Sequence, residues 1–205
     1  MGEHMDLSLI IYIPWSTALR YCYELALKVL ESGYKPQLIV AISRGGLIPA
    51  RIVSDVLGVY ELYAVRSILY MHGKAIGNKP LINAHLPVEL VKGRRVLIVD
   101  EVVDTGTTMV NTVDYLRKLN PAEVRTAVIH YKSSKSMYKP DYYIVELKEW
   151  KWIYYPWSLV ETMFDILAGS KDVSVRDVVN ILNMSEVYLE ASTLEKCLRN
   201  YSGAK

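Results

Sequence analysis

Apolar residues follow two spacings along this chain, and segments of the two kinds alternate. Apolar positions three or four residues apart predict helices over residues 16–32, 46–58 and 107–120. Short, continuous apolar runs predict buried strands over residues 37–43, 60–67, 94–100 and 123–131, with 141–147 as a candidate fifth strand. Strands and helices that alternate in this way predict an α/β fold, a mainly parallel twisted sheet flanked by helices.

Two segments depart from this alternation. Residues 71–85 are polar, contain glycine and have no period, which predicts a mobile loop that closes over a bound ligand. Residues 173–201 contain two amphipathic helices, with Ser185 as the predicted N-cap between them. Such helices must bury their apolar faces, either against the core domain or against a second subunit.

Length, composition and charge limit the class of protein. A chain of 205 residues is long enough for one domain with a proper core and a small appendage. Apolar residues make up 51% and charged residues 22%, which excludes a disordered chain. The formal net charge is +2, and residues 171–205 carry five basic and five acidic side chains. We therefore expect no nucleic-acid partner.

The cysteines and the apolar run near the start of the chain indicate the cellular compartment of the protein. Cys22 and Cys197 are far apart and form no C-x-x-C pair, which favours free thiols in a reducing compartment. The run from Leu7 to Trp15 is too short to span a bilayer and lacks a basic flank. We expect a cytoplasmic protein with no membrane partner.

Polar clusters follow three of the predicted strands. They are Ser43-Arg44-Gly45-Gly46, the segment 100–108, and Tyr131-Lys132. Ligands of open parallel sheets bind beyond the carboxyl ends of the strands. The three clusters therefore predict one site at this edge of the sheet.

The cluster after the third predicted strand, DEVVDTGTT, combines features with opposite preferences. Residues 104–108 precede a predicted helix, whose unpaired N–H groups favour a phosphate. Asp100 and Glu101 would repel that phosphate unless the ligand also carries sugar hydroxyls, a divalent metal or a protonated ring nitrogen. A simpler interpretation makes Asp104 or Thr107 a helix N-cap, but it leaves the other two carboxylates unexplained.

Other sequence signals for a cofactor are missing. The chain has neither a G-x-x-x-x-G-K-[ST] nor a G-x-G-x-x-G motif. Its four histidines show no metal-ligand spacing, and we expect His130 to be a strand residue in the core or at an interface.

These residues carry a resemblance to a known family. VLIVDEVVDTGTT (96–108) resembles the phosphoribosyl-pyrophosphate signature of the type I phosphoribosyltransferases, and SRGGLIPA (43–50) is similar to their pyrophosphate loop. WIYYPW (152–157) resembles a segment of bacterial xanthine-guanine phosphoribosyltransferases. The resemblance implies that family's fold for a core domain over residues 7–157, followed by a helical C-terminal extension over residues 158–205.

The resemblance implies roles for the residues that would hold phosphoribosyl pyrophosphate. The pyrophosphate loop would consist of Ser43, Arg44, Gly45 and Gly46. The family's cis peptide would join the first two of these, and Lys74 or Lys79 would reach the pyrophosphate from the mobile loop. The 5′-phosphate would be cradled by Thr105, Gly106, Thr107 and Thr108.

Further roles concern the ribose, the metal and the base. Asp100 and Glu101 would bind the ribose hydroxyls and hold Mg²⁺, although Glu101 stands where the family usually has aspartate. Asp104 would be the general acid/base at purine N7, and Lys132 would meet the 6-oxo group. The base itself would lie against Trp152 and the backbone of Ile153.

The resemblance implies a function in purine salvage. A 6-oxopurine (hypoxanthine, guanine or xanthine) and phosphoribosyl pyrophosphate would give a nucleoside monophosphate, such as IMP or GMP, and pyrophosphate. We expect Mg²⁺ as the cofactor and a homo-oligomer, either a dimer or a tetramer. The alternative is a regulatory protein that keeps this fold and binds phosphoribosyl pyrophosphate or nucleotides without turnover.

Overall fold

A computed structural model describes most of the chain. The described residues are 9–68, 70–71, 74–75, 81–83, 86–168, 174–181 and 191–203. The helices, in chain order, are α1 (Trp15–Glu31), α2 (Leu47–Leu57), α3 (Val88–Val91), α4 (Thr107–Arg117), α5 (Leu159–Ala168), α6 (Val175–Ile181) and α7 (Ala191–Gly203). The strands are β1 (Ile10–Tyr12), β2 (Leu38–Ser43), β3 (Leu62–Ile68), β4 (Tyr70–Met71), β5 (Lys74–Ala75), β6 (Leu81–Asn83), β7 (Arg95–Val103), β8 (Glu123–Lys132), β9 (Tyr142–Leu147) and β10 (Trp152–Tyr154).

The central sheet has six strands in the order β6-β3-β2-β7-β8-β9. Strands β3, β2, β7, β8 and β9 pair in parallel, while β6 pairs with β3 in the antiparallel direction. The middle strands are buried, as their continuous apolar runs predict: residues 38–42 of β2 and 96–99 of β7 are almost inaccessible to solvent. The predicted α/β fold with a mainly parallel sheet is confirmed.

The predicted helices are confirmed, and their ends follow local backbone chemistry. The segments 16–32, 46–58 and 107–120 form α1, α2 and α4. Gly58 ends α2 in the left-handed conformation, with φ of 65°, which glycine adopts without a steric cost. Helix α4 ends earlier than predicted, at Arg117. Asn120, three residues later, has a positive φ of 56°.

The third strand extends further than the predicted range of residues 94–100. Strand β7 runs three residues beyond Asp100 to Val103, because Val102 and Val103 continue the ladder with β8. Asp100 and Glu101 therefore lie within a paired strand and do not follow its end.

Part of the predicted mobile loop over residues 71–85 forms short strands, and its closure over a ligand stays a prediction. Tyr70–Met71 pairs with Lys74–Ala75, and Leu81–Asn83 adds an antiparallel edge strand to the sheet. These strands have two or three residues, too few to show a period. Lys79 lies outside the described residues.

The chain divides into two compact units. The larger consists of residues 20–150 and contains the central sheet. The smaller unit consists of the residues up to Leu19 and those from Lys151 onward. Within this unit, β1 pairs in parallel with β10. This division joins the two ends of the chain and so differs from the predicted boundary after Trp157, which stays a prediction.

The C-terminal helices bury their apolar faces within the smaller unit. Its core consists of Tyr154, Met163, Ile166, Val175, Val178, Leu194 and Leu198. The two predicted tail helices correspond to α6 and α7, whereas Ser185 lies outside the described residues. Ser174 caps α6: its Oγ accepts a hydrogen bond of 3.2 Å from the N–H of Asp177, and its own N–H donates to the Asp177 carboxylate at 2.8 Å.

No helix in the described part of the chain combines the length and the apolar character that a membrane crossing requires.

Candidate active site

A cavity of about 320 Å³ lies at the carboxyl ends of the parallel strands. Its walls come from Ser43 and Gly45 after β2, Ser67 of β3, and residues 100–106 of β7 and the following turn. The volume falls within the range of small-molecule sites. All of these residues belong to the larger unit, and the cavity lies at the edge that the sequence predicted.

The loop after β2 closes tightly on β7. A Cβ atom at Gly45 would collide with the carboxylate of Glu101, and one at Gly46 would collide with the β7 backbone. Position 46 therefore needs glycine, because the backbone cannot move aside, whereas a Cβ atom at Gly45 would displace the flexible side chain of Glu101. The peptide bond between Ser43 and Arg44 is cis, as the family resemblance implied.

Asp100 and Glu101 share a confined part of the cavity. Asp100 is partly exposed, and its Oδ1 accepts a hydrogen bond of 2.8 Å from the N–H of Glu101. Burial and, to a smaller extent, the negative charge of Glu101 raise the pKa of Asp100 well above its usual range. A cation or a hydroxyl donor bound here would stabilise the ionised pair.

The turn after β7 is held in a conformation that requires glycine. Gly106 has a φ of 86°, and a Cβ atom there would lie 2.8 Å from the Cβ of Tyr138. Gly106 is also the N-cap residue of α4. The interpretation of Asp104 or Thr107 as the N-cap is therefore wrong.

The same turn presents hydrogen-bond donors at the start of α4. The hydroxyls of Thr105 and Thr107 lie 3.0 Å apart, and the N–H of Met137 fixes the turn through the carbonyl of Thr105 at 2.9 Å. The first turn of α4 contains no acidic residue. Unpaired N–H groups at a helix start favour an anion, so this arrangement suits a phosphate.

Lys132 is the last residue of β8, and its side chain is buried. Its Nζ donates a hydrogen bond of 2.8 Å to Oδ2 of Asp104, whose side chain is 38% exposed. The same Nζ lies 4.9 Å from the ring centre of Trp150, and the Nζ of Lys135 lies 5.8 Å from that ring. Sequence reasoning missed Trp150, because a single tryptophan in a polar segment has no periodicity that would distinguish it.

His130 is a core residue, as predicted. It is 2% exposed and makes an edge contact with the ring of Tyr21 at 5.7 Å. Burial, with a smaller contribution from the charge of Lys132, lowers the pKa of His130 to about 4. It is therefore neutral at physiological pH.

The predicted base-stacking residues lie in the smaller unit. Trp152 and Ile153 belong to β10, opposite Ile10 and Ile11 of β1. Trp152 is 40% exposed, and its ring stacks on that of Tyr154 at 6.4 Å. The base-binding role of both residues stays a prediction.

The carboxylates of the cavity fit a divalent cation that takes few protein ligands, such as Mg²⁺. Among the described residues, no group of three or more His, Cys, Asp or Glu side chains forms a metal site by itself. Mg²⁺ takes one or two protein carboxylates and completes its shell with water and substrate phosphate oxygens. Asp100 and Glu101 supply such a pair, and their mutual repulsion favours a bound cation.

Comparison with known proteins agrees with this arrangement. Residues 14–162 match the phosphoribosyl transferase domain. The chain is 31% identical over 172 residues to a xanthine-guanine phosphoribosyltransferase of Idiomarina loihiensis, which covers 83% of this chain and 99% of that relative. The chain therefore belongs to the phosphoribosyltransferase family of enzymes.

Two solved structures share the fold. A purine phosphoribosyltransferase from Pyrococcus horikoshii is 34% identical, with a TM-score of 0.62, over 73% of this chain and 93% of its own. A hypothetical protein from Neisseria gonorrhoeae with bound ppGpp is 27% identical, with a TM-score of 0.67, over 89% of this chain and 99% of its own. The predicted type I phosphoribosyltransferase fold is confirmed.

Proposed function

We propose that this chain transfers the phosphoribosyl group of phosphoribosyl pyrophosphate to a 6-oxopurine in purine salvage. Base nitrogen N9 forms a bond to the anomeric carbon of the ribose, and the bond from that carbon to pyrophosphate breaks. Pyrophosphate leaves with the electron pair, and the proton at N7 passes to Asp104. The products are a nucleoside 5′-monophosphate and pyrophosphate.

The contact between Lys132 and Asp104 carries this proposal. A 6-oxopurine presents O6 and N7 side by side on one edge, whereas adenine presents an amino group in place of O6. An ammonium 2.8 Å from a carboxylate offers a donor for O6 beside an acceptor for a proton at N7. The pair therefore matches the edge of guanine or hypoxanthine and does not match adenine.

The proposal assigns the other parts of the substrate to the cavity and its loops. We assign the 5′-phosphate to Thr105, Gly106, Thr107 and Thr108 at the start of α4, which has the N–H donors an anion needs. We assign the ribose hydroxyls to Asp100 and Glu101. The pyrophosphate goes to the loop formed by Ser43, Arg44, Gly45 and Gly46, next to the acidic pair.

Magnesium fits this assignment. Asp100 and Glu101 would hold the ion together with oxygens of the ribose and pyrophosphate. When bound, Mg²⁺ neutralises charge on the departing pyrophosphate. The residues of this chain orient the ribose beside it, and the cationic Arg44 adds charge next to the same group.

The remaining assignments depend on the family resemblance. We propose that Trp152 stacks on the base, that the backbone of Ile153 reads its 2-substituent, and that Lys74 of β5 or Lys79 approaches the pyrophosphate. The names of the relatives from Idiomarina and Pyrococcus support a purine as the acceptor, with hypoxanthine and guanine as substrates and xanthine as a third candidate. We further propose a cytoplasmic homo-oligomer, a dimer or a tetramer.

A second candidate is a regulator that binds a nucleotide at this site without turnover. The Neisseria neighbour with bound ppGpp favours it, since that ligand also carries a purine and phosphates. One experiment separates the two functions: purified protein is incubated with phosphoribosyl pyrophosphate, Mg²⁺ and guanine, and GMP and pyrophosphate are quantified. The enzyme forms both products in equal amounts, whereas a regulator binds nucleotide in equilibrium dialysis and forms neither.

A further inference from the structure

Ser67 carries a buried hydroxyl group that the fold does not use. The residue lies in β3, and its Oγ is closed off from solvent and has no hydrogen-bond partner in the part of the chain that the structure describes. A buried hydroxyl without a partner destabilises the folded chain, and native structures rarely contain one. A ligand oxygen would give this hydroxyl its partner.

The position of Ser67 relates it to the site. Ser67 lines the cavity described above. In the parallel pairing of β2 with β3, Ser43 lies opposite Arg66, so the next residue of β3 comes level with the start of the pyrophosphate loop. Rotation about the single χ1 bond can turn a serine hydroxyl among three staggered positions, which allows it to meet a ligand in the cavity.

The order of the strands indicates which part of the substrate is nearest. Along the sheet the order is β3-β2-β7-β8. Lys132 ends β8, and the phosphate-binding turn follows β7, so the base and 5′-phosphate occupy that side. The β2–β3 side is left for the pyrophosphate group.

We propose that Ser67 is a further binding residue, whose hydroxyl donates a hydrogen bond to a pyrophosphate oxygen of phosphoribosyl pyrophosphate. This inference rests on the proposed function, because it takes the substrate from there. The charged acceptor makes this bond stronger than one between neutral groups. The unbound hydroxyl costs stability in the free protein, and the cost disappears when the ligand is bound.

The test compares Ser67→Ala with Ser54→Ala. Ser54 is also buried, but its hydroxyl donates to the carbonyl of Val59 at 2.7 Å and does not line this cavity. We expect Ser67→Ala to raise the KM for phosphoribosyl pyrophosphate about tenfold or more and to leave the KM for guanine within about twofold. Its ligand-free melting temperature should equal or exceed that of the wild type. Ser54→Ala should show the opposite: a lower melting temperature and an unchanged KM.

Calorimetric titration with inorganic pyrophosphate and Mg²⁺ separates this inference from the proposed function. Weaker pyrophosphate binding by Ser67→Ala, restored in Ser67→Thr, supports the inference whether or not the wild type turns over. Equal pyrophosphate affinity in wild type and Ser67→Ala overturns it, even if the wild type makes GMP. A wild type that makes no GMP refutes the proposed function alone, and the titration still decides the role of Ser67.

Discussion

The ammonium group of Lys132 lies 2.8 Å from a carboxylate oxygen of Asp104, and the lysine side chain is only 5% exposed. The contact joins the end of β8 to the turn after β7, so neighbouring parallel strands bring together two residues far apart in sequence. Removing one partner of such a pair leaves a charge without compensation in a confined site. The pair recognises the base in the proposed function, and a mutation of either residue also disturbs the structure around the other.

Asp104→Asn tests proton transfer. The amide keeps the size of the carboxylate and an oxygen for Lys132 but cannot accept the proton from N7. We expect kcat to fall by roughly two to four orders of magnitude, the usual contribution of a general acid or base, while the KM for phosphoribosyl pyrophosphate changes little. Steady-state kinetics measure both values. Asp114→Asn, an exposed aspartate on α4, is the matched control. A kcat near the wild-type value in Asp104→Asn would remove this residue from the mechanism.

The acidic pair predicts a requirement for magnesium. Activity should disappear with excess EDTA and return when Mg²⁺ is added, because the departing pyrophosphate needs its charge neutralised. Glu101→Gln removes one carboxylate from the cavity and should raise the Mg²⁺ concentration needed for the half-maximal rate. Glu89→Gln, an exposed glutamate on α3, should leave that concentration unchanged. Full turnover in EDTA would contradict the metal assignment, and an unaltered Mg²⁺ response in Glu101→Gln would limit Glu101 to the ribose.

The raised pKa of Asp100 predicts an effect of pH on stability. The folded chain holds this proton more tightly than the unfolded chain does. The free energy of unfolding therefore falls as the pH rises from about 4, the ordinary carboxyl pKa, to the raised pKa of Asp100, and the loss remains above it. Asp100→Asn removes this loss. We expect the ligand-free variant to melt at a higher temperature than the wild type at neutral pH, with the difference vanishing near pH 4.

Two comparisons make the Asp100 experiment specific. Turnover of Asp100→Asn should fall, because the ribose hydroxyls lose a charged acceptor. Asp114→Asn changes the charge by the same amount at an exposed position, and its melting temperature should follow the wild type at every pH. A lower melting temperature of Asp100→Asn at neutral pH would show that the ionised carboxylate stabilises the ligand-free fold.

The parts of the site that local sequence determines could be predicted. The apolar run before Asp100, the glycines of the loop after β2 and the turn at Gly106 are contiguous patterns, and the structure places them at one sheet edge as expected. The predicted helices needed only apolar spacing and glycine stops. The location of Lys132 followed from its place at the end of a strand.

The remaining features depend on contacts between distant segments. Strand β7 continues to Val103 because β8 pairs with it there, although the apolar run is interrupted by two acids. The pairing of β1 with β10 joins residues 10–12 to residues 152–154, and segments of three residues are too short to carry a pattern that predicts it. Trp150 and Ser67 gain their importance from Lys132 and from the cavity, so only the folded arrangement distinguishes them from other tryptophans and serines.

The choice among purine bases tests the central proposal most directly. The measurement is kcat/KM for hypoxanthine, guanine, xanthine and adenine, with wild type, Lys132→Ala and the exposed control Lys118→Ala. The wild type and Lys118→Ala should use hypoxanthine and guanine and reject adenine by about a thousandfold or more, because the amino group of adenine puts a donor where the buried ammonium needs an acceptor. Lys132→Ala should lose activity with the 6-oxopurines and most of this discrimination. Adenine used as well as guanine by the wild type, or unchanged 6-oxopurine rates in Lys132→Ala, would contradict the account.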